Sequence, residues 1–192
     1  MLFRSWTATQ AGTFAITARA TDDDDAITTS AAVSLTVNDP VVGPVIVSDD
    51  FSQAELDSTV WTFLDPVGGS SFKVESGLLV FEVTGGVDHD LWVGGNESVR
   101  VVQSAPDTDF EIAAQFPTVP TIPFQVQGIL VEEAPGRYIR FDHYVDADGQ
   151  VKLFSTSFTN DNPTTPVYAN DTVPLGNDGL WIRVNRTGDD WQ

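Results

Sequence analysis

Short runs of alternating apolar and polar residues follow one another along most of this chain, separated by clusters of Gly, Pro, Asn and Asp. Side chains that alternate with a period of two point to opposite faces of an extended strand, so these runs predict half-buried β-strands. The clearest runs are residues 72–74, 78–83, 99–103, 110–116, 124–131, 138–145, 151–158 and 180–184. No segment keeps the 3.6-residue period of an amphipathic helix. The chain is therefore predicted to be an all-β sandwich.

The same alternation occurs near the start of the chain, in residues 14–20 and 32–37, on either side of the acidic turn 22–25. A stiff Pro-Val-Val-Gly-Pro segment follows at residues 40–44 and indicates a linker. The sequence thus predicts three parts: residues 1–39, a linker over 40–47, and a larger domain over 48–192.

Residues 1–39 resemble the last strands of a bacterial immunoglobulin-like or PKD-type repeat, through Gly-x-Phe-x-Ile-x-Ala-x-Ala-x-Asp and the closing Asn38-Asp39-Pro40. Such a domain needs about seven strands. The resemblance implies that residues 1–39 are the C-terminal fragment of one repeat. We therefore expect the chain to be a piece of a longer modular protein, cut also at its C-terminal end. Unpaired strand edges at both ends would favour a homo-oligomer.

The formal net charge of −19 narrows the classes of partner. Lys73 and Lys152 are the only lysines, so no basic stripe is available to replace the counterions of a nucleic acid. The same charge disfavours anionic membrane surfaces, and no apolar run approaches the ~20 residues of a spanning helix. Acidity of this degree is typical of solvated extracellular proteins, which predicts a secreted protein. The chain has no cysteine, so thiolate chemistry is excluded.

Residues 88–96 and the nearby Arg100 combine a flat aromatic side chain with short polar ones in a Gly-rich segment. Loops of this kind on a β scaffold usually bind something. Sugar-binding sites typically offer an aromatic ring, on which the C–H face of a sugar stacks, and planar polar groups, which form hydrogen bonds with its hydroxyls. The ligand-binding candidates here are His89, Asp90, Trp92, Asn96 and Arg100.

These residues also carry a family resemblance, together with Asp49-Asp50-Phe51, Trp61, Asp109-Phe110-Glu111 and Arg140-Phe141-Asp142. In this order they resemble the concanavalin A-like jelly rolls of bacterial secreted proteins, close to laminin-G-like and "regulation of enolase protein"-like domains. The resemblance spans residues 48–192 and implies a jelly-roll sandwich. Relatives of this type bind glycans in some proteins and hydrolyse them in others.

The resemblance also implies a structural Ca²⁺ near the first and last strands. Asp49 and Asp50 match the first-strand position. Backbone carbonyls and Asp189 or Asp190 would complete the six or more oxygen ligands that Ca²⁺ takes.

A polar face is predicted on the strand over residues 138–145. Alternation places Tyr138, Arg140, Asp142 and Tyr144 on one face and apolar side chains on the other. Flat tyrosines, an Arg–Asp pair and the amides of Gln125 and Gln127 on the preceding strand would together make a carbohydrate groove. A cross-strand ion-pair ladder with partly buried tyrosines is an equally good interpretation on general grounds.

Several carboxylates could serve a hydrolase instead. Asp107, Asp109 and Glu111 are spaced so that a strand would place all three on one face, as jelly-roll glycosidases do. Glycoside hydrolase family sixteen has Glu-x-Asp-x-Glu, whereas Asp107 occupies the first position here. Asp107 and Asp109 are therefore better explained as turn residues. Asp142, with Glu132 and Glu133, gives further candidates.

The sequence thus favours a carbohydrate-binding module whose partner is an oligo- or polysaccharide. The alternative is a glycoside hydrolase that uses Glu111, Asp109 or Asp142. His89 and His143 are too weak a pair to predict a transition-metal site. The predicted core consists of Phe51, Trp61, Phe81, Phe110, Phe116, Ile139, Phe141 and Trp181.

Overall fold

The computed structural model describes residues 10–37, 43–165, 167–174 and 179–192, and all of the regular structure in these ranges is β. The strands are β1 Gly12–Ile16, β2 Arg19–Thr21, β3 Ile27–Thr29, β4 Val33–Val37, β5 Thr62–Leu64, β6 Ser71–Glu75, β7 Leu78–Glu82, β8 Arg100–Val102, β9 Phe110–Phe116, β10 Val126–Ala134, β11 Arg137–Val145, β12 Val151–Thr159, β13 Asn162–Pro163, β14 Ala169–Thr172, β15 Leu180–Thr187 and β16 Asp190–Trp191. The all-β prediction is confirmed. Within the described ranges there is no helix of the length and apolarity needed to cross a membrane.

The chain separates into two compact units between Gly43 and Pro44, inside the predicted linker. Part of that linker, residues 40–42, lies outside the described residues. The N-terminal unit contains two antiparallel ribbons, β1 with β4 and β2 with β3. The predicted strand 14–20 is divided between β1 and β2, and Ser30 accepts a hydrogen bond from Ala18 N at the break (2.9 Å). The predicted turn at residues 22–25 is present, with Asp22 Oδ1 accepting from Ala26 N (2.8 Å).

Two antiparallel sheets dominate the larger unit. In one, β11 lies between β10 and β12, and both β13 and β14 pair with β12. In the other, β15 lies between β9 and β16. Two separate ribbons, β5 with β8 and β6 with β7, complete the unit.

The apolar faces of the two sheets pack on each other in a sandwich-like arrangement. Phe141 of β11 contacts Ile182 and Val184 of β15, and partly buried side chains such as Ile112 and Ile139 pack around them. A second cluster joins Val145, Val151 and Leu180. Each fully buried side chain of this kind contributes roughly 1.5–3 kcal/mol relative to an exposed one.

Trp181 is not in this core, which corrects one of the sequence predictions. Strand β15 alternates so that Leu180, Ile182 and Val184 are buried, and Trp181 is left 61% exposed on the outer face. The period of two is confirmed, but choosing the tryptophan as the inward residue was wrong. The other predicted core aromatics are only partly buried or, like Phe81, about one-third exposed. Phe141 is the exception and is buried, at 8% exposed.

His143 lies on the same inner face of β11 as Phe141 and Val145, and it is 2% exposed. Its Nδ1 atom has no hydrogen-bond partner. Burial lowers the pKa of His143, because the charged imidazolium would lose its hydration there. The interior therefore holds a neutral histidine.

This burial predicts a pH dependence of folding. Because the folded-state pKa is depressed, the unfolded chain binds the proton more readily. The stability is fully present above the unfolded pKa of about 6.5 and falls as the pH drops below it. Urea denaturation of the wild type and of His143→Leu, from about pH 7 to pH 5, should show a flatter profile for the variant. Parallel profiles would contradict the expectation.

Candidate functional site

The polar face predicted on residues 138–145 exists, and it lies on the outer side of the five-stranded sheet. Tyr138, Arg140 and Asp142 alternate with the core residue Phe141 along β11. Their cross-strand partners on β12 are Phe158, Thr156 and Phe154. We call these six residues the site face.

Part of the segment that the sequence singled out covers this face. Arg140 Nη1 donates to Leu91 O at 3.3 Å. The Trp92 ring meets Phe154 and Phe158 edge-on, with centroids 5.9 and 6.0 Å away. We call residues 88–96 the site loop.

The Arg140–Asp142 pair is buried, which corrects the prediction of an open groove. The two side chains are 5% and 2% exposed, and two parallel hydrogen bonds join them, Nη2 to Oδ1 at 3.0 Å and Nε to Oδ2. Arg140 also lies over the Phe154 ring, 5.0 Å from its centroid. Burial raises the pKa of Asp142, and the hydrogen bonds from Arg140 oppose that shift. The pair supports the site face from within, where a bound sugar could not reach it in this conformation.

Tyr138 is also buried, at 4% exposed, and stacks on Phe158 with centroids 4.4 Å apart and an interplanar angle of 13°. Its hydroxyl has no hydrogen-bond partner. Burial raises the pKa of Tyr138 to about 12, and the charges of Asp161, Asp90 and Glu132 act in the same direction against that of Arg140. The Tyr138 hydroxyl therefore keeps its proton at neutral pH, and most of the charges that act on it are negative.

Most polar groups of the site loop are used to hold its own shape. His89 Nε2 lies 3.1 Å from Thr84 O. Asp90 Oδ1 accepts from Trp92 N at 2.7 Å, which closes a tight turn. Among the predicted binding residues of the loop, Trp92 has the largest side chain, and the residue is 44% exposed to solvent.

Asn96 and Arg100 likewise stabilise the loop. Asn96 Oδ1 accepts from Ser98 Oγ at 2.5 Å. Arg100 Nη1 donates to the carbonyl oxygens of Ser98 (2.9 Å) and Asn96 (3.3 Å), and its Nη2 lies 3.6 Å from a Glu132 carboxylate oxygen. Asn96 Nδ2 and Arg100 Nε are buried without a partner.

The two glutamines do not belong to the site face, contrary to the sequence prediction. Gln127 pairs with His143, so it lies on the inner side of β10, and its amide binds Thr118 through both Nε2 and Oε1. Gln125 Oε1 accepts from the backbone N–H groups of Thr121 and Ile122, both at 3.1 Å. Both amides hold the connection that leads into β10.

The structure places Glu111 and Asp142, two of the proposed catalytic carboxylates, on different sheets. Ile112 and Phe141 point into the core, so their neighbours Glu111 and Asp142 face outward from opposite sheets. Asp107 and Asp109 are bound to the β15–β16 hairpin. Asp107 pairs with Arg186, and Asp109 Oδ1 accepts from Gly188 N at 2.8 Å.

The residues proposed for Ca²⁺ form turns. Asp49 Oδ1 accepts from Phe51 N at 2.8 Å and its Oδ2 from Trp61 Nε1 at 3.0 Å, and Asp50 Oδ1 accepts from Ser52 N at 3.0 Å. These hydrogen bonds use both carboxylate oxygens of Asp49 and one of Asp50. Across the ranges that the structure describes, no three His, Asp or Glu side chains are grouped as metal ligands. A structural Ca²⁺ stays a prediction from the resemblance.

Phe154 and Phe158 were not singled out from the sequence, although they underlie Trp92. The alternation over residues 151–158 could have identified them, because it places both rings on the same face of β12. Tyr144, whose hydroxyl donates to Asn170 Oδ1 at 3.0 Å, extends this aromatic surface by an edge contact with Phe154 at 5.6 Å.

The comparisons with known proteins give no further assignment. The chain matches no protein-family model, no curated protein and no solved structure. The likeness to concanavalin A-like domains therefore depends on the motif residues alone.

Proposed function

We propose that this protein is a carbohydrate-binding module of a secreted modular protein, and that Trp92 is its central contact. The proposal rests on one observation: Trp92 is exposed to solvent while two other aromatic rings pack against it. The ring is 44% exposed, yet Phe154 and Phe158 support it from below. A large ring held in place at the surface loses little side-chain entropy when a ligand stacks on it.

The surroundings of Trp92 suit a sugar. Asp90, whose Oδ1 accepts from the Trp92 backbone N, is exposed, and its carboxylate offers further acceptor positions to ligand hydroxyls. The buried Arg140–Asp142 pair fixes the site face beneath the loop, since Arg140 also binds the Leu91 carbonyl. Rigid support of this kind preorganises a binding surface.

The separation of Glu111 from Asp142 favours binding over hydrolysis. Retaining glycosidases hold their two carboxyl groups about 5–5.5 Å apart, and inverting ones within about 10 Å. Side chains on opposite outer faces of a two-sheet sandwich are separated by more than one sheet spacing of about 10 Å. We therefore propose no catalytic role for this pair.

Replacing Trp92 tests the proposal. In affinity electrophoresis and calorimetry against a panel of soluble polysaccharides, Trp92→Ala should weaken binding by roughly 1–3 kcal/mol, as loss of a central aromatic anchor does. Trp181→Ala is the matched control, because Trp181 is also exposed but lies on the outer face of the other sheet.

Equal losses in the two variants would point to nonspecific contact and against the proposal. Absence of binding by the wild type across the panel would also contradict it. New reducing ends released by the wild type, and abolished by Glu111→Gln, would assign the hydrolase instead.

A further inference from the structure

Two aromatic side chains on the outer side of the five-stranded sheet share one support. Trp92 and Tyr144 both make edge contacts with Phe154, and their ring centroids lie 5.9 and 5.6 Å from its centroid. Phe154 is 6% exposed and belongs to β12 in the middle of the sheet. The two outer rings are therefore held in place by contacts with the same buried ring.

The two rings lie at different points along β12. Tyr144 is the cross-strand partner of Lys152, whereas Trp92 contacts Phe154 and Phe158 at nearly equal distances, 5.9 and 6.0 Å. Because a strand rises about 3.3 Å per residue, this places the two rings roughly 10 Å apart in the strand direction. One sugar stacked on Trp92 does not reach Tyr144 at that distance, whereas a further sugar of the same chain does.

The surface around Tyr144 is open to solvent. Tyr144 itself is partly exposed, its neighbour Val126 on β10 is 40% exposed, and Asn170 on β14 is exposed. Tyr138, near the other end of β11, is by contrast 4% exposed. A ligand can thus approach Tyr144 from solvent without any movement of the site loop.

A polar group beside Tyr144 suits the hydroxyls of a sugar. The Tyr144 hydroxyl donates to Asn170 Oδ1 at 3.0 Å, and the register places Asn170 opposite Phe154, on the same outer face. This bond does not engage Asn170 Nδ2, which carries two donors. Tyr144 and Asn170 together offer a ring for stacking and hydrogen bonds to fix the orientation of a sugar.

We infer that the site binds a linear glycan over several successive sugars, with one sugar on Trp92 and another, farther along the chain, on Tyr144 and Asn170. The second contact adds affinity efficiently, because the first has already restricted the movement of the chain. The inference rests on the carbohydrate-binding function and specifies the ligand as a chain of sugars, in place of a single terminal one.

The test compares a disaccharide with the tetrasaccharide of the same series, by calorimetry on the full chain. The pairs are cellobiose with cellotetraose, xylobiose with xylotetraose, and laminaribiose with laminaritetraose. In at least one pair the tetrasaccharide should bind the wild type at least about tenfold more tightly, as one further aromatic contact would give. Tyr144→Ala should reduce this ratio to the small statistical factor that a longer chain gains from its extra registers, and it should leave the affinity for the disaccharide unchanged.

Tyr168→Ala is the matched control. Tyr168 is 61% exposed, and its hydroxyl lies 3.5 Å from Ser157 Oγ, on the inner side of the same sheet, so its replacement should leave the ratio unchanged. Asn170→Ala changes an exposed side chain and gives a reading that does not depend on the folding of Tyr144→Ala. It should lower the affinity for the tetrasaccharide about threefold, as the loss of one hydrogen bond does, and spare the disaccharide.

Equal losses for the two lengths in Tyr144→Ala would show that Tyr144 only supports Trp92, and would overturn the inference. A ratio that falls as far in Tyr168→Ala would do the same. A wild type that binds both lengths alike would overturn the inference and leave the carbohydrate-binding function intact. Absence of binding in all three pairs would also overturn it, whereas the panel of polysaccharides tests the carbohydrate-binding function separately.

Discussion

Replacing Arg140 by methionine should cost about 3–5 kcal/mol of unfolding free energy, because Asp142 would remain buried without its partner. The wild-type carboxylate is 2% exposed and accepts two hydrogen bonds from the guanidinium. Methionine keeps much of the side-chain volume, so the loss would come mainly from the unpaired charge. Urea denaturation at about pH 7 measures it as a lower midpoint with an unchanged slope.

Two further variants separate the ion pair from the packing. Arg140→Met with Asp142→Leu removes both charges and should recover most of the loss, since apolar replacements of buried pairs are often neutral or better. Arg137→Met is the control on the same strand. Its ion pair with Glu133 is more than half exposed on both sides and should contribute no more than about 1 kcal/mol. A double variant as unstable as Arg140→Met would show that the pair is not the cause.

The sequence identified which residues share a face more reliably than which faces are open to solvent. Alternation placed Tyr138, Arg140 and Asp142 together and opposite Phe141, and the structure agrees. It could not show that the site loop would cover them, because that contact joins Leu91 to Arg140 across 49 positions of the chain. Burial of a polar face is decided by such tertiary packing and has no local pattern.

The same reason explains the misplaced glutamines and tryptophan. Gln127 and Trp181 each lie on a correctly predicted strand, yet each was assigned to the wrong face. A strand with candidate residues on both faces has two registers, and only the partner sheet chooses between them. Trp92 is exposed, as its position in a Gly-rich loop suggests without reference to a partner strand, and its role in binding stays a prediction.

Gly128→Ala should be among the most destabilising single-methyl changes at the glycines that the structure describes in the larger unit. An ideal Cβ at this position would lie 2.2 Å from Phe141 O and 2.5 Å from Asp142 Cα, closer than real carbon atoms approach backbone. The conflict is steric and not conformational, since Gly128 has no positive φ. Strands β10 and β11 would have to separate at Gly128↔Asp142, which also disturbs the buried Arg140–Asp142 pair.

The expected loss is about 3 kcal/mol or more, above the usual range for an added methyl group, because the atoms that it meets belong to the central strand and cannot rotate away. Gly85→Ala is the control, since a Cβ there meets nothing within 4 Å and no positive φ is involved. That variant should stay within about 0.5 kcal/mol of the wild type. Thermal and urea denaturation of both proteins measure the difference. A Gly128→Ala variant as stable as Gly85→Ala would mean that β10 does not approach β11 this closely, and the register at Asp142 would then have to be revised.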